Sequence, residues 1–397
     1  MFKNNKIKKL YLLFMLVYFA QGIYALPGQA IFYWLKETMG LTVEKISYIG
    51  ALSTIPWTVK PIYGLISDLI PVYGYRRKSY LIINYILIAL SGFYVYFFGL
   101  TVPSLITINI LCATAFAFND CAIDGVMVEA GQKYNMTGKF QSVQWGAINM
   151  ASLLTGLCGG LIAKYLNYQY ANLFVSIFIV GILIFLIKSY KEKKRPSKIN
   201  KKCLKGIKLA IKNKQLWLAL AFLFCLWFSP SFGTALMFKM RDTLGFDKIF
   251  IGILGTTGSG FGILGAILYS RACKKFNLKK LLFWSTLISG LTTFCYLYYP
   301  NWMIAVVYSV LFGIVGMICH LVVLDYSAQI TPKEAEGFTF AGICSVLNLA
   351  GMGSRVLGGF LYPRIGLNWL IIISALFTMT CLLFIPHLKI GVVNNEK

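Results

Sequence analysis

Trp-Thr-Val-Lys-Pro-Ile-Tyr-Gly-Leu-Ile-Ser-Asp-Leu-Ile-Pro-Val-Tyr-Gly-Tyr-Arg-Arg-Lys-Ser-Tyr, residues 57–80, is the stretch that decides the fold. An apolar helix carries Lys60 into the hydrocarbon, then ends on Asp68 and a basic turn, Arg76-Arg77-Lys78. A cation at bilayer depth costs roughly 3 kcal/mol on insertion scales, so such a residue lines a cavity or finds a partner. An acidic helix end followed by a basic turn has the look of a gate at a membrane surface. Together these features point to a carrier that moves a solute across a bilayer.

The composition agrees with that direction. Of the 397 residues, 58% are hydrophobic and only 13% charged, and the mean hydropathy is +0.71. Windows of about 20 apolar residues recur roughly every 33 residues, which predicts about twelve spans joined by short loops. They are expected near 8–32, 42–67, 80–100, 104–131, 139–163, 169–189, 215–239, 247–270, 280–299, 302–328, 337–361 and 367–387. The predicted fold is an all-α membrane protein of twelve transmembrane helices in two pseudo-symmetric six-helix bundles.

A net charge of +25 raises the question of nucleic acid, and the distribution of the charge answers it. With a cytosolic N-terminus, roughly 29 of the 38 Lys and Arg fall on that side and about 7 on the other. The excess therefore sets topology and touches anionic lipid; no nucleic-acid partner is expected. An even number of spans places both termini in the cytosol. The membrane is the plasma membrane or that of an organelle. The ten cysteines lie mostly within spans and show no CxxC, and there are only two histidines, so neither a metal centre nor a cofactor is expected.

The chain repeats itself at half its length. Lys36-Glu37-Thr38-Met39-Gly40-Leu41 recurs as Arg241-Asp242-Thr243-Leu244-Gly245-Phe246, each after an apolar span. Gly138, Asn149 and Gly159-Gly160 recur at unchanged spacing as Gly337, Asn348 and Gly358-Gly359. These matches pair span 1 with 7 and 5 with 11. They predict an N-terminal bundle over 1–189, a lysine-rich cytosolic linker over 190–214 and a C-terminal bundle over 215–397. Two parallel six-helix repeats are the plan of major facilitator carriers, with the solute site at the midplane. The glycine pairs are expected to let helices approach closely, and the two asparagines, Asn149 and Asn348, to bond between helices in preference to meeting the solute.

Asp120 and Asp124 in the fourth span are four residues apart and share a helix face. Two carboxylates side by side in low dielectric cannot both ionise cheaply. The pair is a proton-coupling site, an acceptor for a cationic or NH-rich solute, or one side of salt bridges that clamp helices. Lys60 and Arg355 are the cations at bilayer depth, either compensating Asp120, Asp124 or Asp325 or meeting the solute. Gly64, Asp68, Arg76 and Arg77 form the expected gate, with Gly64 allowing close packing and the arginines reaching a neighbouring helix end. Gln21 and Tyr24 lie along one face of span 1, and Gln141, Gln144 and Trp145 extend the polar and aromatic set from span 5. Pro27-Gly28 and Ser229-Pro230-Ser231 predict breaks in spans 1 and 7.

Trp57, Lys60-Pro61, Gly64, Ser67-Asp68, Pro71, Gly74-Tyr75-Arg76-Arg77 and Tyr80 resemble the signature of the folate–biopterin transporters, a branch of the major facilitator superfamily. Tyr18, Gln21-Gly22, the segment from Lys36 to Thr42, Asp120, Asp124, Gln141-Ser142 and Asn348 extend the resemblance over nearly the whole chain. The superfamily's general loop motif has Gly two residues after Asp; here Leu-Ile-Pro-Val-Tyr separates Asp68 from Gly74, which favours this branch. The resemblance implies multi-pass, cation-coupled movement of folates or pterins, though some members prefer other solutes such as S-adenosylmethionine. It further implies that Asp120 or Asp124 takes paired NH bonds from a pterin edge. Lys60 or Arg355 would then meet a glutamate tail, and Trp145 would stack on the ring.

The reading is a proton-coupled, alternating-access carrier of folate or a related pterin, not an enzyme. The alternative is a carrier of the same fold for another small solute, such as S-adenosylmethionine, a sugar, an amino acid or a nucleoside.

Overall fold

The computed structural model describes residues 2–134, 137–192, 194, 212–330 and 336–388. Apart from one isolated bridge between Val72 and Tyr75, the regular structure of the described residues is helical. In chain order the helices are α1 (Phe2–Ile23), α2 (Gly28–Tyr33), α3 (Val43–Leu52), α4 (Lys60–Leu69), α5 (Lys78–Phe98), α6 (Val102–Tyr134) and α7 (Thr137–Tyr165). There follow α8 (Tyr168–Ser189), α9 (Lys214–Phe228), α10 (Gly233–Phe238), α11 (Lys248–Lys275), α12 (Leu278–Thr293), α13 (Trp302–Gln329) and α14 (Glu336–Thr380).

Nine stretches of the described residues are long and apolar enough to cross a bilayer by length and composition. Three of the twelve expected spans do not appear as separate stretches, each for a local reason. The span at 42–67 is divided into α3, a 3-10 turn at Ile55–Val59 and α4, because Pro56 and Pro61 remove backbone donors. The span at 280–299 passes into a 3-10 turn at Phe294–Leu297. The last two are continuous in α14 except at Gly366, whose φ of 73° turns the chain between them.

The chain forms two compact units. One holds Met1–Trp34 and Val59–Ile199; the other holds Leu35–Thr58 and Asn200–Lys397. In the first unit α1 packs on α7, α5 on α8 and α6, and α4 on α6. The approach of α5 to α8 depends on Gly92, where a Cβ would collide with the Ser176 hydroxyl. Along α5, Leu81, Tyr85, Ile88 and Val95 face inward, while Leu90 and Phe97 remain 63% and 71% exposed. A helix apolar all round with an exposed apolar face is built for a hydrocarbon solvent. In the second unit Phe222, Leu282, Val322, Tyr326 and Ile343 form the core between α9, α12, α13 and α14. The segment Leu35–Thr58 joins this unit by packing α3 on α14.

The internal duplication is visible in the backbone. After α1 the chain turns through Tyr24–Pro27, restarts as α2, tightens into a π turn at Trp34–Thr38 and ends on Gly40 with φ 62°. After α9 it breaks at Ser229–Phe232, restarts as α10, forms a π turn at Lys239–Thr243 and ends on Gly245 with φ 63°. The closing bonds match too: Leu41 N donates to Leu35 O, and Phe246 N to Met240 O. The predicted breaks in spans 1 and 7 are present. The glycine pairs sit opposite them: Gly159 has Leu26 O 3.4 Å from where a Cβ would stand, and Gly358 lies directly against Ser231 O.

Candidate functional site

A buried polar network lies in the first unit between α1, α4 and α6. Lys60 stands at the start of α4, with Pro61 behind it at a position where the missing N–H is harmless. Its ammonium makes an ion pair with Asp120, and the two side chains are only 11% and 6% exposed. Asp124, one turn along the same face of α6, accepts a hydrogen bond from the Tyr18 hydroxyl, and Tyr18 is fully buried. Cys121 Sγ donates to Lys60 O at 3.3 Å, which ties α4 to α6 beside the charges. Asn119, before Asp120, accepts from Asn84 Nδ2 at 2.9 Å. The two carboxylates are therefore inequivalent. Asp120 is held by a cation and Asp124 by a neutral phenol.

Charges this deep are costly to desolvate, and a pair recovers that cost only with good geometry and further bonds. Tyr85 OH and Asn119 Nδ2 are buried with no hydrogen-bond partner among the described residues, so the surroundings of the pair are incompletely satisfied. Such groups mark a place where solute or water is accommodated more readily than in a closed apolar core.

A second cluster surrounds the basic turn. Tyr73 and Gly74 have φ of 52° and 80°, which reverses the chain and carries Arg76 to Lys78 onto the start of α5. The Glu192 carboxylate accepts from the backbone N–H groups of Arg76, Arg77 and Lys78, at 3.1, 3.2 and 2.7 Å, and so caps the positive end of that helix. Lys78 Nζ donates to Ile187 O and Tyr190 O at the end of α8. Arg77 is 9% exposed, donates to Ser67 Oγ and lies flat on Gly125 of α6. Arg77 thus reaches the end of α4. The reason given for Gly64 does not hold: a Cβ there would meet nothing among the described residues within 4 Å, and Gly125 is the glycine that allows close approach. The side chain of Asp68 lies outside the described residues.

The duplicated motif forms a third cluster, within the second unit. Lys36 pairs with Asp242, while Glu37 accepts from Arg241 Nε at 2.9 Å and Lys248 Nζ at 2.6 Å. The base of each copy thus pairs with the acid of the other. Arg364 stands 3.9 Å from Glu44 nearby. Sequence reasoning identified the repeat but assigned these residues no role. The signal was there, since a base–acid dipeptide is complementary to a second copy of itself facing it.

The remaining candidates are scattered. Arg355 belongs to the second unit, where Nη1 donates to Gly50 O and Thr54 Oγ1 at 3.2 and 2.7 Å, both neutral oxygens. Asp325 accepts from Tyr269 and Gln329. Tyr24 packs its ring 4.7 Å from Phe116, and Gln21 is half-buried on α1. Gln144 and Trp145 are half-buried on α7, and the side chain of Gln141 is outside the described residues. Asn348 bonds across to Trp57 O as expected of helix glue, but Asn149 donates back to Trp145 O within its own helix. Residues 193 and 195–211 of the expected linker are not described.

The pattern that defines the BT1 family matches residues 21–393, from the last turn of α1 to beyond α14. The chain belongs to the BT1 family. It is 29% identical over 402 residues to a folate-biopterin transporter of Synechocystis, covering 94% of this chain and 81% of that one. It is 26% identical to folate transporter 1 of Plasmodium falciparum, covering 87% and 71% of the two chains. Among solved structures it resembles a D-xylose-proton symporter with a TM-score of 0.79 at 14% identity, over 98% of this chain and 100% of that one. A nucleoside transporter, NupG, superposes with a TM-score of 0.73 at 13% identity, over 96% and 98%. This BT1-family chain is thus a multi-pass integral membrane protein with the fold of major facilitator carriers.

Proposed function

We propose that this protein is a secondary active transporter of folate, biopterin or a related pterin, working by alternating access and coupled to protons. The observation that carries the reading is the inequivalent carboxylate pair, in a chain whose relatives are named for folate and biopterin transport. A pterin edge presents adjacent N–H donors that match a carboxylate, and folate ends in carboxylates that match a lysine. Asp120 and Lys60 already form such a pairing with each other, so the solute replaces internal partners one for one. Asp124 is the proposed proton carrier. Protonating it removes a charge from the network while Lys60 and Asp120 hold the solute, which lowers the cost of reorienting the loaded carrier.

The ion pairs of the duplicated motif and the cluster around Arg76, Arg77 and Glu192 are proposed as the two gates. Both termini are placed in the cytosol because the basic turn and the lysine-rich segment then lie on the positive side. The division into bundles over 1–189 and 215–397 with a linker between them is retained as the unit of movement. The membrane is proposed to be the plasma membrane or that of an organelle.

The experiment is uptake of labelled folate into proteoliposomes holding the purified protein, with and without an inward proton gradient. Uptake accelerated by the gradient, and lost in Asp124→Asn, supports both claims. Uptake insensitive to the gradient removes the coupling, and absence of uptake for folate and biopterin alike removes the substrate class.

A further inference from the structure

Beside the paired motifs the second unit contains a cleft of about 590 Å³, lined by Phe238, Lys239, Asp242, Tyr362, Asn368 and Trp369 among others. Its volume falls within the roughly 300–1,000 Å³ of small-molecule sites. The cleft lies between the π turn that ends span 7 and the turn at Gly366 that joins spans 11 and 12. Its lining belongs to the second unit, whereas the Lys60–Asp120 network belongs to the first.

The lining is chemically complete for one kind of ligand. Asp242 is 53% exposed, and its Oδ1 pairs with Lys36, leaving Oδ2 without a hydrogen bond among the described residues. Lys36 also stands 4.9 Å from the centre of the Phe238 ring, so one lysine holds two walls of the cleft. The Lys239 ammonium, the Asn368 amide and the Tyr362 hydroxyl make no hydrogen bond within the described residues, and the Trp369 indole is 62% exposed. Paired N–H donors suit the carboxylate, an anionic tail suits the lysine, and a flat ring suits the exposed indole. An ordinary phospholipid phosphate is disfavoured by the carboxylate in the same wall.

We infer that this cleft is a second, peripheral binding site for the transported class, a planar heteroaromatic ligand with N–H donors and a carboxylate tail. The inference rests on the proposed transport of folates. The ligand competes with Lys36 for Asp242, so occupancy of the cleft and the integrity of the paired motifs oppose each other.

The test is cysteine protection in the purified full-length protein in phosphatidylcholine nanodiscs. Asn368→Cys is labelled with a polar maleimide, with the parent protein giving the background from native cysteines. Folate at ten times its half-saturating concentration should slow labelling by about tenfold. Asp242→Asn and Lys239→Gln should each raise the half-protecting concentration about tenfold, and Asp124→Asn should leave protection unchanged. Protection that disappears in Asp124→Asn, or survives both cleft variants, overturns the inference. Folate that is taken up yet never protects Cys at position 368 overturns it while leaving the transport reading standing. Protection without uptake removes the transport reading and, with it, the claim that the cleft serves a transported class.

Discussion

The Lys60–Asp120 pair supplies the most discriminating prediction. With side-chain exposures of 11% and 6%, both groups lie in the buried regime, where removing one partner strands the other charge in low dielectric. Each of Lys60→Met and Asp120→Asn should therefore cost about 3–5 kcal/mol of stability. At a pH that keeps Asp124 protonated the double variant carries no stranded charge, and two neutral side chains of similar volume should cost about 1 kcal/mol or less, or stabilise. The two sites are then strongly coupled, with an interaction energy of about 5 kcal/mol or more in the double-mutant cycle. Equilibrium unfolding in mixed micelles, titrated with a denaturing detergent, measures all four corners. The reasoning is refuted if the double variant costs the sum of the singles to within about 0.5 kcal/mol. Uptake separates stability from function. The stable double variant should transport no labelled folate, because the solute would find neither partner.

Tyr18→Phe removes the donor to Asp124 at a fully buried position and should cost about 1–3 kcal/mol of stability, read in the same unfolding titration. Lys36→Asp opposes like charges at Asp242 and should alter labelling of Asn368→Cys, with the added substitution Asp242→Lys restoring it; stability should change by no more than about 1 kcal/mol because Asp242 is half exposed. Glu192→Gln weakens three backbone contacts at the start of α5 and should lower stability by about 1–2 kcal/mol, measured by the same unfolding titration. Gly358→Ala drives a methyl group into Ser231 O and should cost about 3 kcal/mol or prevent folding, whereas Gly146→Ala, where nothing lies within 4 Å, should be near neutral.

The helical membrane fold was legible from hydropathy, because a bilayer permits few alternatives. The breaks in spans 1 and 7 were legible from Pro27 and Pro230. The interruption of 42–67 was not read, although Pro56 and Pro61 announce it, because the apolar run outweighed them. Lys60 was expected to need a carboxylate, and Asp120 is that carboxylate. Choosing between Asp120 and Asp124 required three dimensions, since a helix face places both alike. Glu192 could not be found by pattern: its role depends on a reversal that brings residues over a hundred positions apart together. Arg355 shows the same limit: a sequence places a cation on a span, but which oxygens its guanidinium reaches, here Gly50 O and Thr54 Oγ1, depends on how helices pack.

The two π turns carry a consequence for pairing. A π turn holds one residue more than the α turn it interrupts, so it shifts the residues that follow out of the helical register. It stands at Trp34–Thr38 and again at Lys239–Thr243, five residues in each, followed at the same interval by a glycine of nearly identical φ. Base and acid are therefore presented at equivalent places in two equivalent turns, and the contacts of Lys36 with Asp242 and of Arg241 with Glu37 are one arrangement used twice.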